Sequence, residues 1–389
     1  MKLIPYGRQS ISRRDIRDVL KILKSNWLTQ GPAVAAFEKA LADYCGVRYA
    51  VAVSSGTAAL HLACLAAGLK PGDEAITTPI SFVATPNAVL YCGAKPVFAD
   101  IDPATGNIDP AQIQKHINRK TRALLPVHYG GLPAPMPAIA KIARRRNLFI
   151  IEDACHALGA RSRQGGKWHR VGSCRYSDAT VFSFHPVKAI TTGEGGAITT
   201  NDRKFYEKLI ELRSHGITKN PEKFHQPAMA APWYYEMQAL GFNYRMSDIQ
   251  AALGLSQLTR LDSFIRRRRE IAGLYHQAFS KLDGMRLPQE PSGSQSAWHL
   301  YPVRFDSKKT GKNRARIFAE LRENGIASQV HYIPIHLQPF YRQLGFRRGQ
   351  FPAAEKFYEQ VLSLPVFPAM KTADVRRVIR ALRKILGKK

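Results

Sequence analysis

Short apolar runs alternate with longer amphipathic segments through the first half of the chain. Each run is four or five residues long and mostly apolar, which is typical of strands buried on both faces of a parallel sheet. The alternation with helical segments predicts an α/β fold with a mostly parallel, doubly wound sheet. The predicted strands are 50–53, 74–77, 96–99, 123–127, 148–152 and 179–183.

The second half of the chain has a different pattern. A strand is predicted at 298–305, and Pro288, Pro291 and the stretch 292–294 mark loops before it. The predicted helices are 15–25, 34–44, 314–324, 372–386 and one long helix from near 247 to about 273 or beyond. We therefore predict a large domain over residues 1–250, and a long linking helix with a small C-terminal α+β domain over residues 251–389.

Composition indicates a folded protein of ordinary type. The chain has 389 residues, of which 45% are hydrophobic, enough for sizeable cores. Its five cysteines stand singly, without metal or disulfide spacing, and we interpret them as reduced core thiols. The first residues lack the apolar stretch of a secretory signal, and no run of about 18 apolar residues occurs. These features predict a cytoplasmic protein with no membrane insertion and no metal.

The formal net charge of +29 suggests acidic partners such as nucleic acid or anionic lipid. The arginine runs, however, fall on predicted helices beside apolar periodicity, as in Arg144–Arg146 and Arg266–Arg269. Aromatic residues are not interleaved with them, as stacking on bases would require. We interpret these runs as solvated helix faces and expect nucleic-acid binding to be a side property at most.

Lys188 is the strongest candidate for chemistry. A nucleophilic lysine must be neutral, which requires desolvation or suitable neighbours, because its free pKa is about 10.4. Phe182, Phe184 and Val187 supply an apolar setting, and the glycines of the following TTGEGG stretch let the backbone approach a bulky cofactor. The alternative is an ordinary surface lysine, one of 58 basic residues.

Two upstream segments support a cofactor site. Asp153 ends a buried strand, at the sheet edge where ligands of α/β folds bind, and its carboxylate suits a pyridinium nitrogen of pyridoxal phosphate (PLP). A helix cap is the alternative for Asp153. The segment Ser54–Leu62 predicts a tight turn followed by a helix, whose first N–H groups form a phosphate site. The three segments together predict PLP chemistry.

The order of SSGTAAL, IIEDACHALGA, FSFHPVKAITTGEGGAI and GFNYRMSDIQAALGLSQL resembles the DegT/DnrJ/EryC1/StrS family of sugar aminotransferases, which are fold-type I PLP enzymes. The resemblance covers nearly the whole chain. IPYGRQ, WLTQGP, TPISFVAT and HYIPIHLQP are similar to the transaminases that make UDP-4-amino-4,6-dideoxy-N-acetyl-β-L-altrosamine in pseudaminic acid biosynthesis. That similarity implies amino transfer from L-glutamate to C4 of a UDP-4-keto-6-deoxy-N-acetylhexosamine, in a homodimer with shared active sites.

The resemblance also implies roles for individual residues. Lys188 matches the lysine that forms a Schiff base with PLP and shuttles protons, and Asp153 matches the partner of the pyridine nitrogen. The other cofactor residues implied are Gly56, Thr57 and Ser183 at the phosphate, Phe82 on the ring, His156 near the phenolic oxygen and Asn243 at the partner subunit's phosphate. Arg8, Thr29, His331 and Tyr332 are predicted to bind the sugar nucleotide.

Alternatives remain for several of these residues. Phe82 and His156 fit plain core positions, and the segments proposed for sugar binding fit turns and packing elements. The stretch 126–135 departs from the family pattern in its prolines, where a substrate wall is expected. Family members that act as dehydratases carry histidine at the lysine position, which Lys188 occupies here. Another keto-sugar nucleotide, a regulator on a PLP fold, and a nucleic-acid-binding protein are the alternative functions.

Overall fold

The computed structural model describes residues 3–226 and 231–387. Seven strands form the central sheet: β1 (Tyr49–Val53), β2 (Glu74–Thr77), β3 (Lys95–Phe98), β4 (Thr121–Leu125), β5 (Phe149–Asp153), β8 (Ala179–Ser183) and β9 (Gly196–Thr200). Their order is β1-β9-β8-β5-β4-β2-β3. All neighbours from β8 to β3 are parallel, whereas β9 is antiparallel to β8 and β1. The predicted mostly parallel α/β sheet is confirmed.

Helices cover both faces of this sheet, as the doubly wound prediction requires. They are α1 (Arg13–Leu23), α2 (Pro32–Cys45), α3 (Gly56–Ala66), α4 (Ala84–Tyr91), α5 (Pro110–His116), α6 (Met136–Arg146), α7 (Arg203–Arg213) and α8 (Asp248–Leu258). Val51 and Val53 of β1 lie in one core with α3, α4 and α7. Ala50 and Ala52 lie in a second core with α2 and α8. Successive residues of a strand point to opposite faces, so each strand joins two cores.

The long helix predicted from residue 247 is two helices, and this prediction was wrong. α8 begins where expected, because Ser247 and Gln250 form a capping box. It ends at Leu258, and α9 (Leu261–Phe279) follows. At the break, the Thr259 hydroxyl donates to the Ser256 carbonyl at 2.7 Å, a local bond that competes with the helical pattern. α8 thus stays against α1 and α2, while α9 leads to the C-terminal core.

A second, antiparallel sheet in the order β12-β14-β15 carries the C-terminal core. The elements are β12 (Met285–Arg286), β14 (Tyr301–Phe305), α10 (Ser307–Thr310), α11 (Arg314–Glu323), α12 (Pro339–Gln343), α13 (Pro352–Gln360), β15 (Val361–Leu364) and α14 (Thr372–Ile385). β14 begins three residues later than predicted, since Trp298 has a left-handed φ of 47°. Ile4 also packs in this core, and the division at residue 250 stays a prediction.

Eight of the described strands were not predicted from the sequence. β9, β12 and β15 belong to the two sheets described above, and the other five are short strands outside those sheets. These five are β6 (Arg161–Gln164), β7 (Lys167–Arg170), β10 (Ile217–Thr218), β11 (Glu236–Met237) and β13 (Ser294–Gln295). Their residues are mostly polar and carry no apolar alternation, so the pattern gave no signal. Within the described ranges, no helix has the length and apolar character needed to cross a membrane.

Candidate active site

A cavity of about 670 Å³ lies at the carboxyl ends of β5 and β8, with segment 329–333 on its other side. This is the sheet edge at which ligands of α/β folds bind. The cavity brings together most of the predicted site residues: Gly56, Thr57, Phe82, Asp153, His156, Ser183, Lys188, His331 and Tyr332. These residues come from widely separated parts of the chain.

Lys188 is half-buried in the wall of this cavity. Its position is set by the turn after β8, where its N–H donates to the carbonyl of His185 at 2.9 Å. Burial lowers the pKa of the Lys188 amine, while the neighbouring Cys155 and Asp153 act in the opposite direction. A lowered pKa increases the neutral fraction of the amine, which is the form that a nucleophile or a base requires.

Asp153 is 5% exposed and ends β5 beside Lys188. Its Oδ2 accepts a hydrogen bond from the Thr85 hydroxyl at 2.6 Å, and its Oδ1 accepts one from the Cys155 N–H at 3.1 Å. The residues that follow form a turn, so Asp153 caps no helix. The carboxylate is held in one orientation and has lone pairs left for a ligand in the cavity.

The first turn of α3 supplies the cavity with N–H donors. Ser55 caps this helix by accepting from the Ala58 N–H at 3.0 Å, whereas the earlier N–H groups have no partner within the helix. A Cβ on Gly56 would lie 2.8 Å from the Cβ of Ser183, so only glycine permits this close approach of α3 to β8. The result is an anion site formed by a helix N-terminus and a serine hydroxyl.

His156 lies on the opposite wall, between two aromatic side chains. Its Nε2 is 3.0 Å from the Tyr332 hydroxyl, and its ring packs against that of His299 at a tilt of 32°, with centroids 4.4 Å apart. Burial raises the pKa of Tyr332, so its hydroxyl stays protonated. We assign that proton to the bond with Nε2, because no other acceptor for Tyr332 occurs in the described chain. The Nδ1 of His156 then carries a proton, and this buried donor has no partner among the described residues.

His331 completes this wall and is held from behind. Its Nδ1 is 2.9 Å from the Ser363 hydroxyl, and its carbonyl accepts from the Tyr129 hydroxyl at 2.7 Å. Burial, followed by the charge of Lys188, lowers the pKa of His331 to about 3. His331 is therefore neutral at physiological pH.

The proline-containing stretch 126–135 lies mostly behind the cavity, although a substrate wall was expected at this point of the chain. Val127 alone of this fully described stretch lines the cavity. His128 is buried and accepts from the Ala134 N–H at Nδ1, so its Nε2 donates to Glu152 at 2.7 Å. The stretch thereby fixes the strand end that precedes Asp153.

Three predicted residues lie outside the cavity. Arg8 is exposed and lines a separate narrow crevice that also touches Lys188. Thr29 and Asn243 are exposed. Each forms an isolated antiparallel β-bridge through its backbone, Thr29 with Ser247 and Asn243 with Ser214. The structure of one chain does not bring these three residues together with the others.

The lining residues that sequence reasoning missed include Tyr6, Thr85 and Cys155. Tyr6 and Thr85 fall within segments that resemble the family, but nothing in the spacing singled them out. Cys155 was expected to be a core thiol. It is half-buried beside Lys188, and burial raises its pKa well above the ordinary value, so it stays a neutral thiol.

Stability should fall steeply below pH 6.5. Burial lowers the pKa values of His156, His299 and His331, while in the unfolded chain they are near 6.5. The unfolded state thus binds more protons below that pH, so stability present above it is lost as pH falls. Each such histidine contributes a slope of about 1.4 kcal/mol per pH unit. When denaturant unfolding is measured from pH 7 to 4.5, the slope of stability against pH in His331→Gln should be smaller than in wild type by the contribution of one histidine, about 1.4 kcal/mol per pH unit. An unchanged slope would contradict this prediction.

The residues present fit PLP. The α3 N-terminus and Ser183 would hold its phosphate, Asp153 its ring nitrogen, the unpartnered Nδ1–H of His156 its phenolic oxygen, and Lys188 its aldehyde carbon. The exposed ring of Phe82, at the cavity mouth, offers a stacking face. In the described part of the chain, no group of three or more histidine, cysteine, aspartate or glutamate residues is placed to hold a metal.

Comparisons with known proteins agree with this site. The model of the DegT/DnrJ/EryC1/StrS aminotransferase family matches residues 9–383. The spore coat polysaccharide biosynthesis protein SpsC of Bacillus subtilis (strain 168) is 42% identical over 385 residues, covering 98% of this chain and 97% of SpsC.

Solved structures are similar over almost the whole chain. PseC of Helicobacter pylori, an aminotransferase involved in the biosynthesis of pseudoaminic acid, has a TM-score of 0.90 at 34% identity, covering 99% of this chain and 100% of PseC. NtdA of Bacillus subtilis, with bound cofactor PMP, has a TM-score of 0.85 at 32% identity, covering 97% of this chain and 83% of NtdA. This chain belongs to the DegT/DnrJ/EryC1/StrS family and is a PLP-dependent sugar aminotransferase.

Proposed function

We propose that this protein transfers the amino group of L-glutamate to C4 of a UDP-4-keto-6-deoxy-N-acetylhexosamine, giving UDP-4-amino-4,6-dideoxy-N-acetyl-β-L-altrosamine for pseudaminic acid biosynthesis. The observation that carries the proposal is the likeness to PseC along 99% of the chain. The four segments that resemble these transaminases support it, since two of them supply Phe82, Thr85, His331 and Tyr332 to the cavity.

Lys188 is the proton carrier in this proposal. Its lowered pKa favours the neutral amine. This amine can take the α-proton from L-glutamate and return a proton to the carbon that was the aldehyde carbon of the cofactor. When bound, PLP would supply the electron sink for the C–H bonding pair that stays on the carbon when that proton leaves. Asp153, fixed by Thr85 and the Cys155 N–H, holds the ring nitrogen in its protonated form. The same two side chains serve both halves of the transfer.

The cavity wall formed by Tyr6, His331 and Tyr332, which we assign to the sugar, is neutral and rich in aromatic side chains. His331 is uncharged, Tyr332 keeps its hydroxyl proton, and Tyr6 packs against His331 with ring centroids 5.5 Å apart. These groups offer hydrogen bonds and flat surfaces to a sugar ring. In this proposal Arg8 and Thr29 reach the nucleotide portion from outside the cavity of a single chain.

A second keto-sugar nucleotide, such as a dTDP- or GDP-linked one, is the alternative substrate. One observation favours it: the identity to SpsC, named for spore coat polysaccharide biosynthesis, is 42%, against 34% to PseC. The chemistry at Lys188 and Asp153 would be the same. Only the sugar, its nucleotide and the configuration of the new amine would differ.

A substrate panel separates these possibilities. Purified enzyme with PLP and L-glutamate is given UDP-, dTDP- and GDP-linked 4-keto sugars, and product configuration is read by NMR. The proposal expects the UDP-linked N-acetyl sugar to have the highest kcat/KM. A glutamate-only reaction, which yields 2-oxoglutarate in amounts matching the enzyme, shows that the first half works whatever the sugar. Preference for a dTDP- or GDP-sugar would overturn the proposed substrate.

We also propose a cytoplasmic homodimer with shared active sites. α1 supports the dimer, because Ile16, Leu20 and Leu23 are spaced along one face of the helix and are 61%, 45% and 53% exposed. Trp27 and Leu28 extend this apolar surface at 55% and 48% exposed. A second copy of the chain would remove this surface from water. Asn243, exposed and outside its own cavity, is then available to the partner's cofactor phosphate.

Mixing two inactive or weakened variants should test the shared site. The Lys188→Ala and Asn243→Ala chains each damage a different part of every site in their own homodimers. A mixed dimer has one site with both native residues, so its activity at limiting PLP should exceed that of either parent. Differently tagged chains, purified in tandem, establish that subunits have exchanged. If exchange is complete and activity is not restored, Asn243 does not act across an interface.

A further inference from the structure

A second cleft, of about 900 Å³, lies away from the active site and shares no lining residue with it. One wall is the loop containing Pro103 and Ala104, after β3. The floor is formed by β12 and β14, and the other wall by segment 287–291. Its volume falls within the range of small-molecule sites.

Two arginines face each other in this cleft. Arg286 of β12 is directly opposite Arg304 of β14 in the antiparallel register, so their side chains share one face of the sheet. Like charges in this position destabilise a sheet. Within residues 3–226 and 231–387, neither guanidinium forms an ion pair with a carboxylate; Arg304 lies over the ring of Phe357, 5.2 Å from its centroid.

The other polar groups near the cleft are already engaged. Glu290 binds Arg269 through both oxygens, at 2.7 and 3.0 Å. Asp102 accepts from the Ala104 N–H and the Thr105 hydroxyl, each at 2.9 Å. His276 is bonded at Nε2 to the Pro288 carbonyl at 3.0 Å. Asp102 also attracts Arg304 electrostatically, but within the described ranges it forms no ion pair with it, so Arg286 and Arg304 leave an excess of positive charge in the cleft.

We propose that this cleft binds a small phosphate-bearing anion, held by the guanidinium groups of Arg286 and Arg304. The planar fork of arginine matches phosphate oxygens and forms strong, charge-assisted hydrogen bonds with them. Leu287, Pro288 and Pro291 give the remaining wall an apolar surface for an organic portion of the ligand. The mutual repulsion of the arginines is relieved when the anion binds.

Calorimetric titration of the PLP-loaded enzyme tests this site, because PLP fills the phosphate site at the N-terminus of α3. Inorganic pyrophosphate and glycerol 3-phosphate are the probes, since neither carries the uridine of the proposed substrate. Arg286→Gln and Arg304→Gln should each weaken binding at least about tenfold. Arg376→Gln is the control, since it removes the same charge from an exposed position on α14 and should stay within about twofold. Tighter binding of glycerol 3-phosphate identifies a phosphate ester as the ligand class, and tighter binding of pyrophosphate identifies the inorganic anion.

Thermal unfolding gives a second measurement that does not depend on calorimetric heat. Without ligand, Arg304→Gln should unfold at the same or a higher temperature than wild type, because the repulsion is removed. Pyrophosphate should raise the Tm of wild type and of Arg376→Gln, and leave that of the Arg286→Gln/Arg304→Gln double variant unchanged. Equal binding by wild type and the double variant, or no binding of either probe at 10 mM (roughly 10⁴ times a micromolar Kd), overturns the proposal.

Discussion

Lys188→Ala should lose turnover almost completely. The variant lacks the buried amine whose lowered pKa suits it to carry the proton. General acid–base catalysis contributes up to about 10⁴-fold, and the attachment point for the cofactor is removed as well, so we expect a fall of at least roughly 10⁴-fold. The measurement is the rate of 2-oxoglutarate formation from L-glutamate in a stopped, single-turnover assay.

Borohydride reduction supplies a second measurement for Lys188. Reduced wild-type protein should carry PLP irreversibly on the peptide that contains Lys188, as seen by mass spectrometry, whereas Lys188→Ala should not. Lys208→Ala is the matched control, because this lysine lies on α7, away from the cavity. Full activity in Lys188→Ala, or PLP attached to another lysine, would refute the assignment.

Asp153→Asn should lower kcat by about two orders of magnitude. The substitution keeps the size of the side chain and can keep one acceptor for Thr85, but it removes the negative charge that stabilises a protonated ring nitrogen. A hydrogen bond to a charged group is worth about 1.5 to 3 kcal/mol, and each 1.36 kcal/mol changes a rate tenfold. The measurement is kcat with L-glutamate at saturating PLP, so that weaker cofactor binding is not the cause.

Asp178→Asn provides the comparison for Asp153→Asn. Asp178 immediately precedes β8, at the edge of the sheet opposite the cavity, and its carboxylate accepts from the Ile150 N–H at 2.8 Å. Both variants thus remove a carboxylate that binds backbone, but only one of them lines the cavity. We expect Asp178→Asn to keep kcat within about threefold. If Asp153→Asn also stays within twofold of wild type, Asp153 has a structural role only.

Strand positions were predictable where burial on both faces left a mostly apolar run. β2 and β8 have the predicted bounds, and the other predicted strands of the central sheet differ by one or two residues at their ends. The break between α8 and α9 was not predictable from periodicity, because both helices continue the apolar pattern across Thr259 and Arg260. A local side-chain bond accompanies the break.

Site residues were predictable to the extent that they end predicted elements or match a family segment. Asp153 and Gly56 were found because each lies at the end of a predicted strand, and parallel strands end at one edge of the sheet. Lys188 was found from its apolar, glycine-rich setting. Thr85 was not found, because its bond to Asp153 joins residues 68 positions apart. Tyr6 and Arg8 lie in one segment, and only the folded chain shows that Tyr6 enters the cavity.

Local periodicity and short segments were enough to establish the α/β class, the family and the residues at the strand ends that face the cofactor. Which side chains meet depends on the folded chain. Strand register placed Arg286 opposite Arg304, and packing placed His156 between His299 and Tyr332. Such contacts join residues far apart in the chain, and their geometry follows from the packing of whole elements, which no local pattern encodes.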